Sequence, residues 1–307
     1  MVFGPKYDEI KTALSSCLAG LGAENGVHKT AIDGVMVMRE TAPTGLIHMM
    51  YRPVLCLVMQ GAKQVTVGGK TTGFQAMQSL VVSVDLPVIG KVTRATCDEP
   101  FLAMSIDIDL AEIRDLLAEI EKDVGAGNTS SKTDQPALYI ENVDDAMLDC
   151  AGRIFQLLER PQAISVVYPL IRREIYYWLL CGPQGDVLRR MSLPDGHTRR
   201  IARAIHKIRS AFNESLRIDQ LAEMAGMSVS SFHQHFKSLT GMTPLQYQKE
   251  LRLREARHLM GTNALSATEA AYEVGYESSS QFSREFARLF GMTPRQSVAR
   301  MRTTTIN

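Results

Sequence analysis

The sequence predicts an α+β protein of two domains: an N-terminal β-barrel or sandwich with flanking helices, and a C-terminal all-α domain with two helix-turn-helix units joined by a long helix. Three observations carry that prediction. Short runs rich in Val, Ile and Leu, separated by turn residues, fill the chain up to about Asp107. Beyond it the apolar spacing changes to a helical period. Finally, "LTGMTPLQY" from Leu239 and "LFGMTPRQS" from Leu289 spell Gly-Met-Thr-Pro twice, fifty positions apart.

In the first part, "VMVMRE" (Val35–Glu40), "LCLVMQ" (Leu55–Gln60), "KQVTV" (Lys63–Val67), "SLVVSV" (Ser79–Val84) and "FLAMSIDI" (Phe101–Ile108) read as strands. Gly68-Gly69, between "QVTV" and "KTTGF", is a two-residue hairpin signal, because both residues adopt positive φ without a Cβ penalty. Several such strands in series point to a sandwich or small barrel. In "DLAEIRDLLAEIEKDV", Leu110, Ile113, Leu117 and Ile120 share one helical face, and the polar, Gly/Ser/Thr-rich Gly125–Pro136 reads as a loop. Helices are expected from Asp144 to Glu159 and from Ile164 to Leu180, the second ended by "CGPQGD". The expected domains are thus residues 1–182, a linker over 183–197, and a helical domain over 198–302.

Composition frames this division. A chain of 307 residues has room for about two cores, and 45% hydrophobic with 22% charged residues is ordinary for a soluble globular protein. No apolar run approaches the ~18 residues of a membrane helix, and "MVFGPKYDEI" lacks a basic start followed by an apolar core. The expectation is a cytoplasmic protein without a membrane partner. Cys17, Cys56, Cys97, Cys150 and Cys181 show no CxxC spacing, which fits reduced thiols better than a disulfide framework or a zinc site. From Asp195 onward 16 Lys and Arg face 10 Asp and Glu, a charge of +6, against −5 for residues 1–194. The basic end is therefore the candidate for a polyanionic partner.

The repeat extends beyond four letters. Ile218, Leu221, Ala222 and Ala225 fall at i, i+3, i+4, i+7, and so do Ala267, Ala270, Ala271 and Val274. Gly226 and Gly275 are expected to end these short helices in a left-handed turn. A second helix then buries Phe232, Phe236 and Leu239 in one copy and Phe282, Phe286 and Leu289 in the other. Helix, glycine turn, helix is the helix-turn-helix, whose second helix enters the DNA major groove. "SATE" (Ser266–Glu269) is a capping box, and Ser228 is positioned to cap the first recognition helix. In each Gly-Met-Thr-Pro, glycine stops one helix, threonine caps the next and proline suits its first turn. Between the units Thr243–Met260 places Leu245, Leu253, Ala256, Leu259 and Met260 on one face. About 18 residues span roughly 27 Å, approaching the ~34 Å between successive major-groove faces.

These residues carry a family resemblance. "IDQLAEMAGMSVSSFHQHFKSLTGMTPLQYQKELRLREARHLM" from Ile218 and "ATEAAYEVGYESSSQFSREFARLFGMTPRQ" from Ala267 closely resemble the DNA-binding domain of AraC/XylS-type bacterial transcription regulators. "YRPVLCLVMQGAKQVTVGGK" from Tyr51 and "VVSVDLPVIGKV" from Val81 resemble the cupin-like N-terminal domain of one AraC-type subgroup. The resemblance implies a sequence-specific regulator, an activator rather than a repressor. It also implies a cupin-like sensory domain that binds a small-molecule or electrophile effector, helices that form a homodimer, and a C-terminal domain that binds double-stranded DNA and recruits RNA polymerase.

By the same resemblance, the outward residues of the first recognition helix, Ser230, His233 and Gln234, meet bases. Gln234, standing where an arginine is common in the family, can pair bidentately with adenine. In the second helix the matching residues are Ser279, Ser280, Gln281, Ser283 and Arg284, with Arg284 the guanine reader. Lys237, Arg288 and Arg295 are expected on phosphates, which position the protein without specifying sequence. His233 and His235, at i, i+2 on a helix, point apart and complete no metal set.

Cys56 lies mid-strand, where a cysteine is usually a small buried hydrophobe. The sharper reading makes Cys56, or secondly Cys97, a thiol that senses an aldehyde or quinone, which requires a depressed thiol pKa and access. Two other classes compete. A cupin-type metal enzyme needs clustered His and carboxylate ligands, and only His28 and His48 precede residue 190; no catalytic residue, metal or cofactor is expected. An effector-independent DNA-binding protein would share the C-terminal domain but answer to no ligand.

Overall fold

A computed structural model describes residues 4–124, 136–192, 196–262 and 265–304; of the loop expected over Gly125–Pro136, all but Pro136 lies outside the described residues. The chain forms two compact units, one made mainly of residues up to Arg199 and one of residues from Arg200 onward.

The first unit opens with a helix, α1 (Pro5–Gly20), in a region where the sequence predicts strands alone. Pro5 suits its first turn, and Tyr7, Ile10, Leu14 and Leu18 form its buried stripe. Ten strands follow among the described residues: β1 (Gly26–Lys29), β2 (Val35–Glu40), β3 (Ile47–Tyr51), β4 (Val54–Gln60), β5 (Ala62–Val67), β6 (Lys70–Gln75), β7 (Gln78–Val82), β8 (Leu86–Arg94), β9 (Phe101–Asp107) and β10 (Leu138–Asn142). They build two antiparallel sheets, ordered β1-β2-β9-β4-β7-β10 and β3-β8-β5-β6. The Gly68-Gly69 hairpin joins β5 to β6 with φ of +56° and +83°.

Alternation along the strands gives the first sheet two different faces. Val37, Leu57, Val81 and Met104 turn toward the helices and join one apolar core with α1 and with α2 (Leu110–Val124), α3 (Asp145–Leu158), α4 (Ile164–Cys181) and α5 (Gly185–Ser192). Ile154 and Ile175 are buried there, each worth roughly 1.5–3 kcal/mol relative to exposure. The opposite parity, Met36, Ser105, Cys56 and Leu80, forms one lateral row across β2, β9, β4 and β7. Helix α3 begins at the expected place because Asp144 accepts from Met147 N.

Inside the segment expected as a linker, residues 185–192 fold as α5. Its Val187 and Leu188 enter the N-terminal core, and Gln184 N donates to Glu141 Oε1 at 2.7 Å. Glycine and proline punctuate this stretch, but its apolar face finds a tertiary partner.

The second unit contains α6 (His197–Ser210), α7 (Ile218–Met224), α8 (Val229–Thr240), α9 (Pro244–Thr262), α10 (Ala267–Glu273), α11 (Ser279–Phe290) and α12 (Pro294–Thr304). Leu253, Ala256 and Met260 of α9 pack against α10 and against Phe282 and Phe286 of α11. Two expected core positions differ. Leu245 is 51% exposed, its place on α9 taken by Tyr247, Gln248 and Leu251. Leu289 is only half-buried and packs at the margin of the core, while its neighbour Phe290 is buried in it. Among the described residues no helix is long and apolar enough to cross a membrane.

Candidate DNA-binding interface

The two helix-turn-helix units are built by the same local physics. Gly226 and Gly275 carry φ of +60° and +87°, and the residue after each closes the turn, Met227 N on Ala222 O and Tyr276 N on Ala271 O, both at 2.9 Å. Ser228 Oγ accepts from Ser231 N, and Ser278 Oγ accepts from Gln281 N, both at 3.3 Å, so a serine caps each recognition helix. The box from Ser266 to Glu269 is closed in both directions.

Gly-Met-Thr-Pro performs the predicted structural work twice. Gly241 and Gly291 sit at φ of +73° and +69°, and Pro244 and Pro294 open the following helices. The caps extend two positions beyond each Gly-Met-Thr-Pro: Thr243 N donates to Gln246 Oε1 at 3.0 Å, and Thr293 N to Gln296 Oε1 at 2.9 Å.

Each recognition helix turns its phenylalanines inward. Phe232 and Phe236 pack at 5.7 Å between ring centroids, Phe282 and Phe286 at 5.5 Å, in nearly the same tilt. Opposite that side, Ser230, Gln234 and Lys237 on α8 and Ser280 and Arg284 on α11 are exposed. These are the faces each helix can lay in a groove. His233, Ser279 and Ser283 occupy the half-buried flanks, His233 edge-on to the Phe232 ring at 6.3 Å. Gln281 is exposed but donates from Nε2 to Glu285 Oε1 at 3.2 Å. Arg288 and Arg295 are exposed on α11 and α12.

The long helix α9 holds this geometry through polar contacts invisible in the apolar pattern. Arg252 Nε donates to Phe212 O and its Nη1 to Gly275 O, each at 2.7 Å, and Gln248 Nε2 reaches Phe212 O at 2.9 Å and Glu214 O at 2.8 Å. One helix thereby fixes both the entry to the first unit and the turn of the second.

In the N-terminal unit, burial pushes the Cys56 thiol up, with the nearby Lys63 ammonium pulling the other way less strongly. That environment opposes the thiolate a sensor needs. Cys97 is exposed. Among the described residues no group of three or more His, Cys, Asp or Glu is placed to hold a metal ion. A polar pair that no sequence motif marks lies here, Lys63 Nζ on Tyr51 Oη at 3.2 Å. The signal was present in "AKQVTV", where Lys63 shares strand parity with Val65.

Comparison with known proteins agrees with both units. Residues 31–187 match the family model of the AraC-type transcriptional regulator N-terminus, and residues 221–300 match a helix-turn-helix domain. The chain is 32% identical over 156 residues to the HTH-type transcriptional activator RhaS of Salmonella schwarzengrund, covering 50% of this chain and 55% of that protein. RhaS of Escherichia fergusonii is 31% identical over 157 residues with the same coverage. The chain thus spans about half the length of the curated relatives it matches. In fold it is similar to ToxT from Vibrio cholerae O395 bound to (E)-4-(8-methylnaphthalen-1-yl)but-3-enoic acid, with a TM-score of 0.56 at 12% identity over 90% of this chain and 98% of that one.

Proposed function

The chain belongs to the AraC-type transcriptional regulators, and on that premise we propose that it binds specific DNA sequences and controls transcription in response to a small molecule received by its N-terminal β-domain. One observation carries the reading: two recognition helices each follow a glycine turn, carry a serine cap and bury paired phenylalanines but differ on their outward faces, Ser230 and Gln234 against Ser280 and Arg284. Like scaffolds with unlike readers suit two successive, different half-sites on one duplex.

In this reading Ser230, His233 and Gln234, with Ser279, Ser280, Gln281, Ser283 and Arg284, meet bases, while Lys237, Arg288 and Arg295 meet phosphates. Activation with RNA polymerase as partner follows the relatives' description as activators. A homodimer is supported by α4, whose Val166 and Leu170 are 69% and 64% exposed on one helical face. A small-molecule effector is supported by the likeness in fold to ligand-bound ToxT. Effector binding would then shift the population between arrangements that engage DNA differently.

Genome-wide binding followed by footprinting tests the proposal. The expected footprint protects two major-groove segments about one helical turn apart, and purified protein with no sequence preference would overturn it.

A further inference from the structure

We propose that the space between the two sheets of the N-terminal unit is an effector site for a small organic carboxylate, its charge met by Lys63 and Tyr51. The inference rests on the regulator reading above and supplies the chemical class of its ligand.

Lys63 is only 3% exposed. It projects from β5 in one sheet toward the other: Nζ lies 3.9 Å from Met38 Sδ on β2 and 3.2 Å from Tyr51 Oη on β3. Gly90 on β8 leaves room for this arm, since a Cβ there would fall 3.3 Å from Lys63 Cε and 2.5 Å from Met49 Cε.

A buried ammonium costs several kcal/mol unless a countercharge and hydrogen bonds offset it. Around Lys63 those partners are incomplete. Tyr51 is a neutral hydroxyl, its ionisation pushed up by burial, and Met38 offers only a thioether. Glu40 acts on Lys63 at a distance, but no carboxylate among the described residues comes within ion-pair reach of it. Three N–H donors thus meet one oxygen and one weak sulfur acceptor.

The side chains beside Lys63 suit an apolar body behind such a charge. Met36, Met38, Cys56 and Ser105 lie on the face of the first sheet turned away from the helical core, yet each keeps accessible surface. On the same face Val58, Leu80 and Ala103 are buried, so the accessible surface lies along the row that Met36, Ser105 and Cys56 form beside Met38. Methionines line it with adaptable apolar surface, and a lysine with a tyrosine hydroxyl supplies the few convergent polar groups typical of a ligand pocket.

Full-length protein titrated calorimetrically with benzoate and octanoate, against the neutral benzamide and octanamide, tests this. The carboxylates are expected to bind and raise the apparent Tm while the amides do not. Lys63→Met should weaken carboxylate binding at least about tenfold, roughly 1.4 kcal/mol, and Lys63→Arg should retain most of it. Because Cys56 lines the space, bound octanoate should slow its alkylation without changing that of Cys97, a readout needing no variant. Equal binding of acids and amides, full binding by Lys63→Met, or no carboxylate binding at millimolar concentration would overturn the inference. Wild-type protein that footprints DNA but ignores every carboxylate sinks this inference alone; loss of specific footprinting sinks the regulator reading instead.

Discussion

The Tyr276 hydroxyl donates to Glu285 Oε2 at 2.8 Å, fastening the turn of the second helix-turn-helix to its own recognition helix. On the same carboxylate, Lys249 Nζ of α9 lies 2.7 Å from Oε1 and Gln281 Nε2 lies 3.2 Å away. Three elements therefore converge on one side chain, next in sequence to Arg284. Burial works against the Glu285 charge, but hydrogen bonds from Lys249, Tyr276 and Gln281 outweigh it and hold the carboxyl below its ordinary 4.5.

A carboxyl depressed in the folded state contributes stability that is present above its unfolded value and lost as pH falls through the folded one. The C-terminal unit is thus expected to weaken as pH drops below about 4.5, and Glu285→Gln to flatten that limb. Tyr276→Phe should cost about 1.5–3 kcal/mol at neutral pH, as for loss of a hydrogen bond to a charged group. Urea unfolding followed by helical circular dichroism over a pH series checks both. An acid limb unchanged in Glu285→Gln would contradict the assignment.

The two turn glycines should respond unequally to alanine although their roles match. A Cβ at Gly275 would fall 2.1 Å from Asn213 O, which is backbone; at Gly226 the nearest atom is Arg200 Nη1 at 3.0 Å, the far end of a side chain held by hydrogen bonds to Ala225 O and Gly226 O at 3.2 and 3.4 Å. Both variants carry a left-handed backbone penalty of about 1–2 kcal/mol, but only Gly275→Ala must also displace main chain. Gly226→Ala is expected to lose about that amount and Gly275→Ala at least twice as much. Equal losses in denaturant titrations would show that the Asn213 segment yields freely.

What the sequence made legible were features whose signal is local. Hydrophobic period, glycine turns and caps placed β2, β4, β5, β7, β9 and both helix-turn-helix units within a residue or two. Features that needed distant partners were hidden. Helix α5 lies in punctuated text and forms because Val187 and Leu188 reach the N-terminal core. Glu285 reads as one more surface charge, since Tyr276 and Lys249 precede it by 9 and 36 positions. Lys63 looks like an edge-strand lysine until pairing of β5 with β8 turns it between the sheets.

Thiol reactivity should follow environment. Burial pushes Cys56 up, and Cys150 up to about 11, whereas Cys97 and Cys181 are exposed. Iodoacetamide at neutral pH is expected to label Cys97 and Cys181 first and Cys56 and Cys150 last, as read by a mass-spectrometric time course. Early labelling of Cys56 would restore it as the stronger sensor thiol.

Base and phosphate contacts make separable predictions on the outward faces. Arg284 stands where Gln234 stands in the first unit, opposite the inward phenylalanines, and a guanidinium reads guanine by two parallel hydrogen bonds. Arg284→Ala should cost about 1–3 kcal/mol on the preferred site and relax preference at a single base pair. Lys237→Ala removes a charge from the same exposed side of α8. It should weaken binding to all sequences alike and lower the salt slope by about one. Anisotropy titrations of wild type and both variants, on the footprinted site and its single-base mutants across a salt series, separate the two. If Arg284→Ala weakened every sequence equally, Arg284 would belong with the phosphate contacts, and specificity in the second half-site would fall to Ser280 and Gln281.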